Sequence, residues 1–362
     1  MDAEELIESI IRALMFIAGI LGNSWLAICS LPKQKSGIRT NEVLFINLAL
    51  SNLITNCLVD LPDTIADFNG RWFLGETFCG VFRFSADLSE TSSIFTTFFI
   101  SAFWHQKLVG SLKRGGAPVQ LDNLLLVGCL LAGSWTVAVV FSVPHFFFVS
   151  VEGGNGSEDD CLDVFPNPLA QQTYEVIYLT VANAFPIAGI VFASAQIVIT
   201  LYQNQRRIRG HGSDQTKEAV REENKSLENR DDERSISTVS APGISKDLDP
   251  SCPSDKSAHI APFNGETESR AGAKPNVSRP NQMPSKPSSN TSSQVRAAKS
   301  VVAVASVVLV CWLTHLLLRI TNSIHTSSIV VEVASYIAAS YTCIIPYIFL
   351  HGVKKLSCKC KR

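Results

Sequence analysis

Residues Leu124–Ser150 read LLLVGCLLAGSWTVAVVFSVPHFFFVS, 27 positions without an Asp, Glu, Lys or Arg. A helix needs about 20 largely apolar residues to cross roughly 30 Å of hydrocarbon, because lipid offers its backbone no hydrogen-bond partner. This stretch meets both demands. Outward from it, Ala13–Leu31 carries no charge, Val43–Leu61 carries only Asp60 near its end, and Gly80–Trp104 is apolar except for three charges in its first half. Val176–Leu201, Ser300–Leu318 and Ile329–Leu350 complete the set, the last with Glu332 near its start. The expectation is an all-α membrane protein with a bundle of seven transmembrane helices.

The remaining composition supports this. Of 362 residues, 46% are hydrophobic and 17% charged, against about a quarter charged in soluble domains. Charge is also uneven: residues 203–295 hold 27 charged residues in 93, and the rest of the chain 36 in 269. That insert has eight of the sixteen prolines and one aromatic residue, Phe263. It cannot bury enough apolar area to offset its ordering entropy, and reads as a disordered loop. A soluble enzyme with one compact core, a disulfide-stapled secreted domain and a nucleic-acid-binding tail are excluded.

Orientation follows from basic residues in short loops. Lys33, Lys35 and Arg39 follow span 1, and Lys107, Lys113 and Arg114 follow span 3. Arg206, Arg207 and Arg209 leave span 5, Arg296 and Lys299 enter span 6, and five basic residues follow span 7. The other side has Arg12 and Arg71. The N-terminus is therefore expected outside and the C-terminus inside the cell membrane. The layout is an extracellular segment 1–12, helices 1 to 5 over 13–202, cytoplasmic loop 203–295, helices 6 and 7 over 296–350, and a basic tail 351–362. The acidic opening MDAEELIESI lacks a basic n-region, so a cleaved signal peptide is not expected.

This topology sorts the modifiable residues. Cys79 and Cys161 alone face an oxidising compartment, where they are expected to form a disulfide; two free thiols is the other reading. Of four N-x-Ser/Thr sequons, at Asn155, Asn224, Asn276 and Asn290, only Asn155 lies outside and can carry glycan. The tail HGVKKLSCKCKR reads as a short interfacial helix with palmitoylation at Cys358 and Cys360, or as a frayed basic end.

Residues within the spans resemble rhodopsin-like (class A) G-protein-coupled receptors. The matches are Gly22-Asn23 in span 1, Asn47-Leu48-Ala49-Leu50-Ser51-Asn52 in span 2 and Trp72-Phe73-Leu74-Gly75 ahead of Cys79. They continue with Trp135 and Pro144, Pro186, Cys311-Trp312-Leu313 and Pro346. The departures are informative. D-R-Y at the end of span 3 becomes Phe103-Trp104-His105, Thr314 replaces the proline of C-W-x-P, N-P-x-x-Y is Ile345-Pro346-Tyr347-Ile348-Phe349, and the sodium-site aspartate is Asn52. The pattern is most similar to vomeronasal type 1 receptors and the related fish olfactory receptors, with Ser101-Ala102-Phe103 and Pro346-Tyr347 among the matching features.

Charges inside hydrocarbon are costly and default to functional readings. Arg83, Asp87 and Glu90, spaced i, i+4, i+7, share one face of span 3. Trp312, His315 and Arg319 form a similar stripe on the outer half of span 6. The resemblance implies that these stripes face each other across a ligand cavity, with Glu332 nearby. The alternative is an internal ion-pair network with Arg83–Asp87 as an i, i+4 pair. Trp104, His105, Arg206 and Arg207 are the residues expected to face a heterotrimeric G protein. The expected ligand is a small extracellular molecule, charged or rich in hydrogen-bonding groups, and the chemosensory class follows from the subgroup.

Rival classes lack support. The seven histidines never form H-E-x-x-H or a close metal-ligand pair, and no G-x-S-x-G, P-loop or dinucleotide fingerprint occurs. Neither enzyme, metal nor cofactor is expected. The first lysine near span 7 is Lys354, too late for a retinal Schiff base. No paired halves suggest a transporter. A class A receptor for another ligand class and a non-coupling seven-helix scaffold or scavenger are the remaining alternatives.

Overall fold

The computed structural model describes residues 3–32, 37–112, 118–152, 160–207, 289–321 and 328–352, with side chains for all of these except 3–5, 111, 152, 289–293, 315–321 and 328–332. Asn155, residues 208–288 and the tail with Cys358 and Cys360 lie outside the described residues. The helices are α1 (Ala3–Ser30), α2 (Thr40–Asn69), α3 (Gly75–Leu112), α4 (Leu124–Phe146), α5 (Pro168–Arg207), α6 (Ser289–Thr321), α7 (Ser328–Ala339) and α8 (Tyr341–Gly352). α2 and α5 each loosen into a π-helical turn, at Asn56–Asp60 and Leu179–Ala184.

Local chemistry sets several ends. The Asn123 side chain accepts from the Leu125 and Leu126 N–H groups at the start of α4, and Asn167 accepts from Ala170 at the start of α5. Gly70 closes α2 in the left-handed conformation (φ 67°), where a Cβ would be strained.

Two strands supplement the helices. β1 (Val149–Glu152) and β2 (Asp160–Asp163) pair antiparallel, with Val149 opposite Asp163 and Val151 opposite Cys161. The expectation that span 4 runs to Ser150 is thus corrected. Helix geometry ends by Phe146, and the Val164 N–H donates to the Phe148 carbonyl at 2.7 Å, so hairpin pairing replaces helical bonds for this apolar stretch. The segment 203–295, expected as a loop, is helical at both ends: α5 extends to Arg207 and α6 begins at Ser289.

Leu6–Ser30, Thr40–Asn69, Leu124–Phe146, Pro168–Arg207 and Gln294–Thr314 are long and apolar enough to cross a bilayer. Val333–Ala339 and Tyr341–Gly352, bent by 43° at a short break, together make a sixth such span. α3 differs: at 38 residues it is ample in length, but it is too polar to pass on composition. Its position explains why. It packs against α2, α4 and α6 and buries Ser85, Ser89, Thr91, Ser92, Ser93, Thr96, Thr97 and Ser101. A helix ringed by protein needs no lipid-facing apolar surface.

Six of these eight hydroxyls, those of Ser89, Ser92, Ser93, Thr96, Thr97 and Ser101, form hydrogen bonds locally or across helices. Thr96, Thr97 and Ser101 donate to the carbonyls of Ser92, Ser93 and Thr97, four residues back. Asn47 Nδ2 donates to Thr96 Oγ1 at 2.7 Å, and Trp135 Nε1 donates to Asn47 Oδ1 at 2.9 Å. Ser93 donates to Asn52 Oδ1 (2.9 Å), and Asn52 Nδ2 donates to Asn23 Oδ1 (3.1 Å). Asn23 Nδ2 reaches the carbonyls of Gly19 and Thr342, both at 2.9 Å. Two neutral hydrogen-bond networks therefore form this seam: one through Asn47 ties α4, α2 and α3, and one through Asn52 and Asn23 ties α3, α2, α1 and α8. Gly22 permits the α1–α8 approach: a Cβ there would lie 2.9 Å from both Pro346 Cγ and the Tyr347 ring.

Replacing Asn23 by Ala leaves a buried carbonyl and the Asn52 amide short of a partner. Such losses cost about 1–3 kcal/mol, and the thermal midpoint of the purified chain should fall clearly. Thr136→Ala, which removes an exposed hydroxyl bonded only to the Ala132 carbonyl, should shift it little. Equal shifts would contradict the role of the seam.

Candidate functional site

The three charges Arg83, Asp87 and Glu90 on the first half of α3 share a helical face in sequence but enter three different environments. Arg83 Nη2 donates to the Cys161 carbonyl, and Nη1 lies 3.7 Å from Asp163 Oδ2. Arg83 thus contacts the hairpin and not Asp87, the partner that the alternative reading gave it. Cys161 is fixed there by its disulfide to Cys79 (Cα–Cα 5.6 Å), beside buried Trp72 and Phe82.

Asp87 turns toward α4 and α5. Its Oδ2 lies 2.9 Å from His145 Nε2 and 2.8 Å from the Tyr174 hydroxyl. His145 Nδ1 in turn lies 2.7 Å from Asp163 Oδ1. With a carboxylate on each ring nitrogen, the arrangement fits a ring that donates from both. The Tyr174 hydroxyl also lies 2.7 Å from the Phe141 carbonyl, so its single proton serves one acceptor at a time. Rings shield the cluster: Phe165 packs 5.3 Å from Tyr174, and Tyr174 stacks on Tyr178 at 6.0 Å. His145 is 6% exposed. The result is a latch joining α3, α4, α5 and the hairpin.

Glu90, one turn deeper, borders a cavity of about 320 Å³ between α2, α3, α6 and α7–α8. Tyr178 donates to Glu90 Oε2 at 3.1 Å. Trp312 lies in the same cavity wall, with Ser93, Thr97 and Tyr341. Glu90 is the one charged residue of the described lining. The structure thus brings Glu90 and Trp312 to one cavity and separates them from Asp87 and Arg83. His315 and Arg319 lie on α6 and Glu332 on α7, with side chains outside the description.

His145, Asp163, Tyr174 and Tyr178 escaped the reading of the sequence as site residues. The available signal was His145 itself, a polar ring in a span without Asp, Glu, Lys or Arg.

Residues 22–349 match the family model described as 7 transmembrane receptor (rhodopsin family). The chain belongs to this receptor family. Similar proteins include chemokine XC receptor 1 of Mus musculus, 24% identical over 200 residues, covering 55% of this chain and 57% of that one. Galanin receptor type 1 of Rattus norvegicus is 24% identical over 208 residues, with 57% and 58% covered. Rhodopsin of Cambarus maculatus is 24% identical over 198 residues, with 54% and 64% covered. The chain thus spans less than two-thirds of the length of these relatives. The family is one of multi-pass membrane receptors and not of enzymes, and within it α3 is the third of seven spans.

At the other end of the receptor's α3, Trp104 is 8% exposed and meets Phe103 edge-on at 5.5 Å. Lys107 Nζ sits 4.8 Å from the Phe103 ring centre and 3.7 Å from Asp122. This corrects the expectation that Trp104 faces a G protein: the indole is a core residue, because its apolar surface gains more from burial than from solvent. His105 is half-buried with its ring near Phe192, and Arg206 and Arg207 are exposed at the end of α5. The receptor's α6 runs unbroken past Thr314, whose hydroxyl donates to the Val310 carbonyl at 2.8 Å.

Cutting one partner of a buried charged pair leaves the other uncompensated. Asp87→Asn and His145→Gln should each destabilise the receptor, and the double variant should lose less than their sum. A double-mutant cycle on unfolding should show coupling above about 1 kcal/mol, within the range of contacting pairs. Additive losses would disprove the latch.

Proposed function

We propose that the receptor binds a small extracellular ligand in the cavity beside Glu90 and Trp312 and, in response, activates a heterotrimeric G protein at its inner face. The observation that carries this reading is the cavity itself: about 320 Å³, walled largely by apolar groups, with one described carboxylate. A carboxylate at membrane depth is costly unless it is paired or hydrogen-bonded. A ligand with a cationic or strongly donating group on a compact apolar body fits that chemistry. His315, Arg319 and Glu332 are proposed to complete the wall. Ligand binding would act by favouring one packing of the helices over another. Because an amide seam stands where the family carries an acid, and a buried Trp104 where it carries an arginine, the resting state is held by neutral hydrogen bonds and packing.

The chemosensory class, of olfactory or pheromone type, rests on the span 2, 3 and 7 motifs that resemble vomeronasal and fish olfactory receptors. A second reading has its own support. An outer depression of about 740 Å³ is lined by Glu8, Asp63, Asp67 and Asp160, and relatives are named for a chemokine and for galanin. Arg71 and Arg83 also line it, and Arg12 beside it is 3.0 Å from both Asp63 and Asp67. A larger basic ligand would suit that surface.

The readings separate in a cell-based GTP-exchange assay with any agonist found by screening. For the small-ligand reading, Glu90→Gln lowers potency about tenfold or more at equal surface level, the loss expected for a charge-assisted hydrogen bond of roughly 1.5–3 kcal/mol. Loss of potency in Asp67→Asn and Asp160→Asn, with Glu90→Gln unaffected, would favour the second. The proposed orientation, N-terminus outside, has a separate check. Asn155→Gln should abolish the whole glycosidase-sensitive gel shift, and a residual shift would contradict it.

A further inference from the structure

A groove of about 660 Å³ lies on the flank of the bundle, between α1, α6 and α8. Its walls are two helical stripes. Arg296, Lys299 and Ala303 line one, and Ile344, Tyr347 and His351 line the other, each at i, i+3, i+7 spacing. The polar ends coincide: Arg296, Lys299 and His351 are exposed together at one mouth, and no acidic residue lines the groove among the described residues. Away from that mouth the lining becomes apolar, with Ile344 39% and Tyr347 48% exposed. Seven residues of helix rise about 10 Å, most of one leaflet's roughly 15 Å of hydrocarbon. The floor is tight, since a Cβ on Gly352 would lie 2.3 Å from Ser300 Oγ.

We propose that this groove is a binding site for an anionic phospholipid. Its phosphate-bearing headgroup sits on Arg296, Lys299 and His351, and an acyl chain lies along Ala303, Ile344 and Tyr347. Charge complementarity selects the headgroup, as basic pockets between membrane helices do. The apolar run selects a lipid over a free phosphate, because a soluble anion gains nothing from it. The groove is distinct from the Glu90 cavity, so the proposal stands apart from the ligand reading.

The test is native mass spectrometry of the full-length receptor in detergent, titrated with phosphatidylserine, with phosphatidylcholine and with glycerophosphoserine. Detergent removes any dependence on orientation. Phosphatidylserine should be retained over phosphatidylcholine, and glycerophosphoserine should not displace it. Arg296→Ala with Lys299→Ala should weaken phosphatidylserine binding roughly twenty- to thirtyfold, each basic side chain near an anionic headgroup being worth about fivefold. Ile344→Trp, which keeps the charges and fills the apolar run, should weaken it as well. All three positions are exposed, and an unchanged thermal midpoint verifies folding. Equal retention of both lipids, displacement by glycerophosphoserine, or unaltered binding in either variant would overturn the proposal.

Discussion

Lipid cannot donate or accept a hydrogen bond, and this constraint organises the molecule. A polar group at membrane depth is costly unless it finds a partner within the protein. α3 concentrates the problem, with eight buried Ser and Thr residues along it. Three of the hydroxyls fold back onto their own helix, and those of Ser92 and Ser89 meet Ser51 and Thr55 of α2. Asn47 carries the pairing outward to α4, and Asn52 with Asn23 carries it separately to α1 and α8. The most polar helix consequently lies at the centre, where its hydroxyls become cross-links.

The same rule shapes both ends of α3. Toward the hairpin, Asp87 and Asp163 share one imidazole, and Arg83 meets the carbonyl of the disulfide-linked Cys161. That end is rigidified by charge held among rings. At the other end Trp104 takes the place of a charged residue and is packed inside, with Lys107 over the adjoining Phe103. Between them lies the Glu90 cavity, bordered by the seam on one side and by α6 on the other. A ligand there touches helices coupled by neutral bonds, which exchange partners at lower cost than ion pairs in a low dielectric.

Much of the fold was legible because hydropathy is a sum over many residues. Six spans follow from apolar runs, and the Cys79–Cys161 disulfide from their placement. The seventh, α3, was found despite its charges, since its first half reads as polar and its second as apolar. Pairwise geometry was not legible. Spacing placed Arg83 and Asp87 within reach of each other, yet the hairpin offered Arg83 a carbonyl and His145 offered Asp87 a nitrogen. The hairpin escaped notice because Phe147, Phe148 and Val149 are as apolar as the helix before them, so composition could not mark where helical bonds give way to strand pairing. Trp104 was misjudged because position along a helix does not reveal which way a side chain packs.

The central claim is that α3, too polar to be chosen by composition, crosses the bilayer and makes the number of spans odd. Epitope tags joined before Met1 and after Arg362, probed with antibody on intact and on permeabilised cells, measure that parity. The account predicts that the amino-terminal tag is stained on intact cells and the carboxy-terminal tag only once the membrane is opened. Both tags stained under the same condition would mean an even number of crossings and would contradict it.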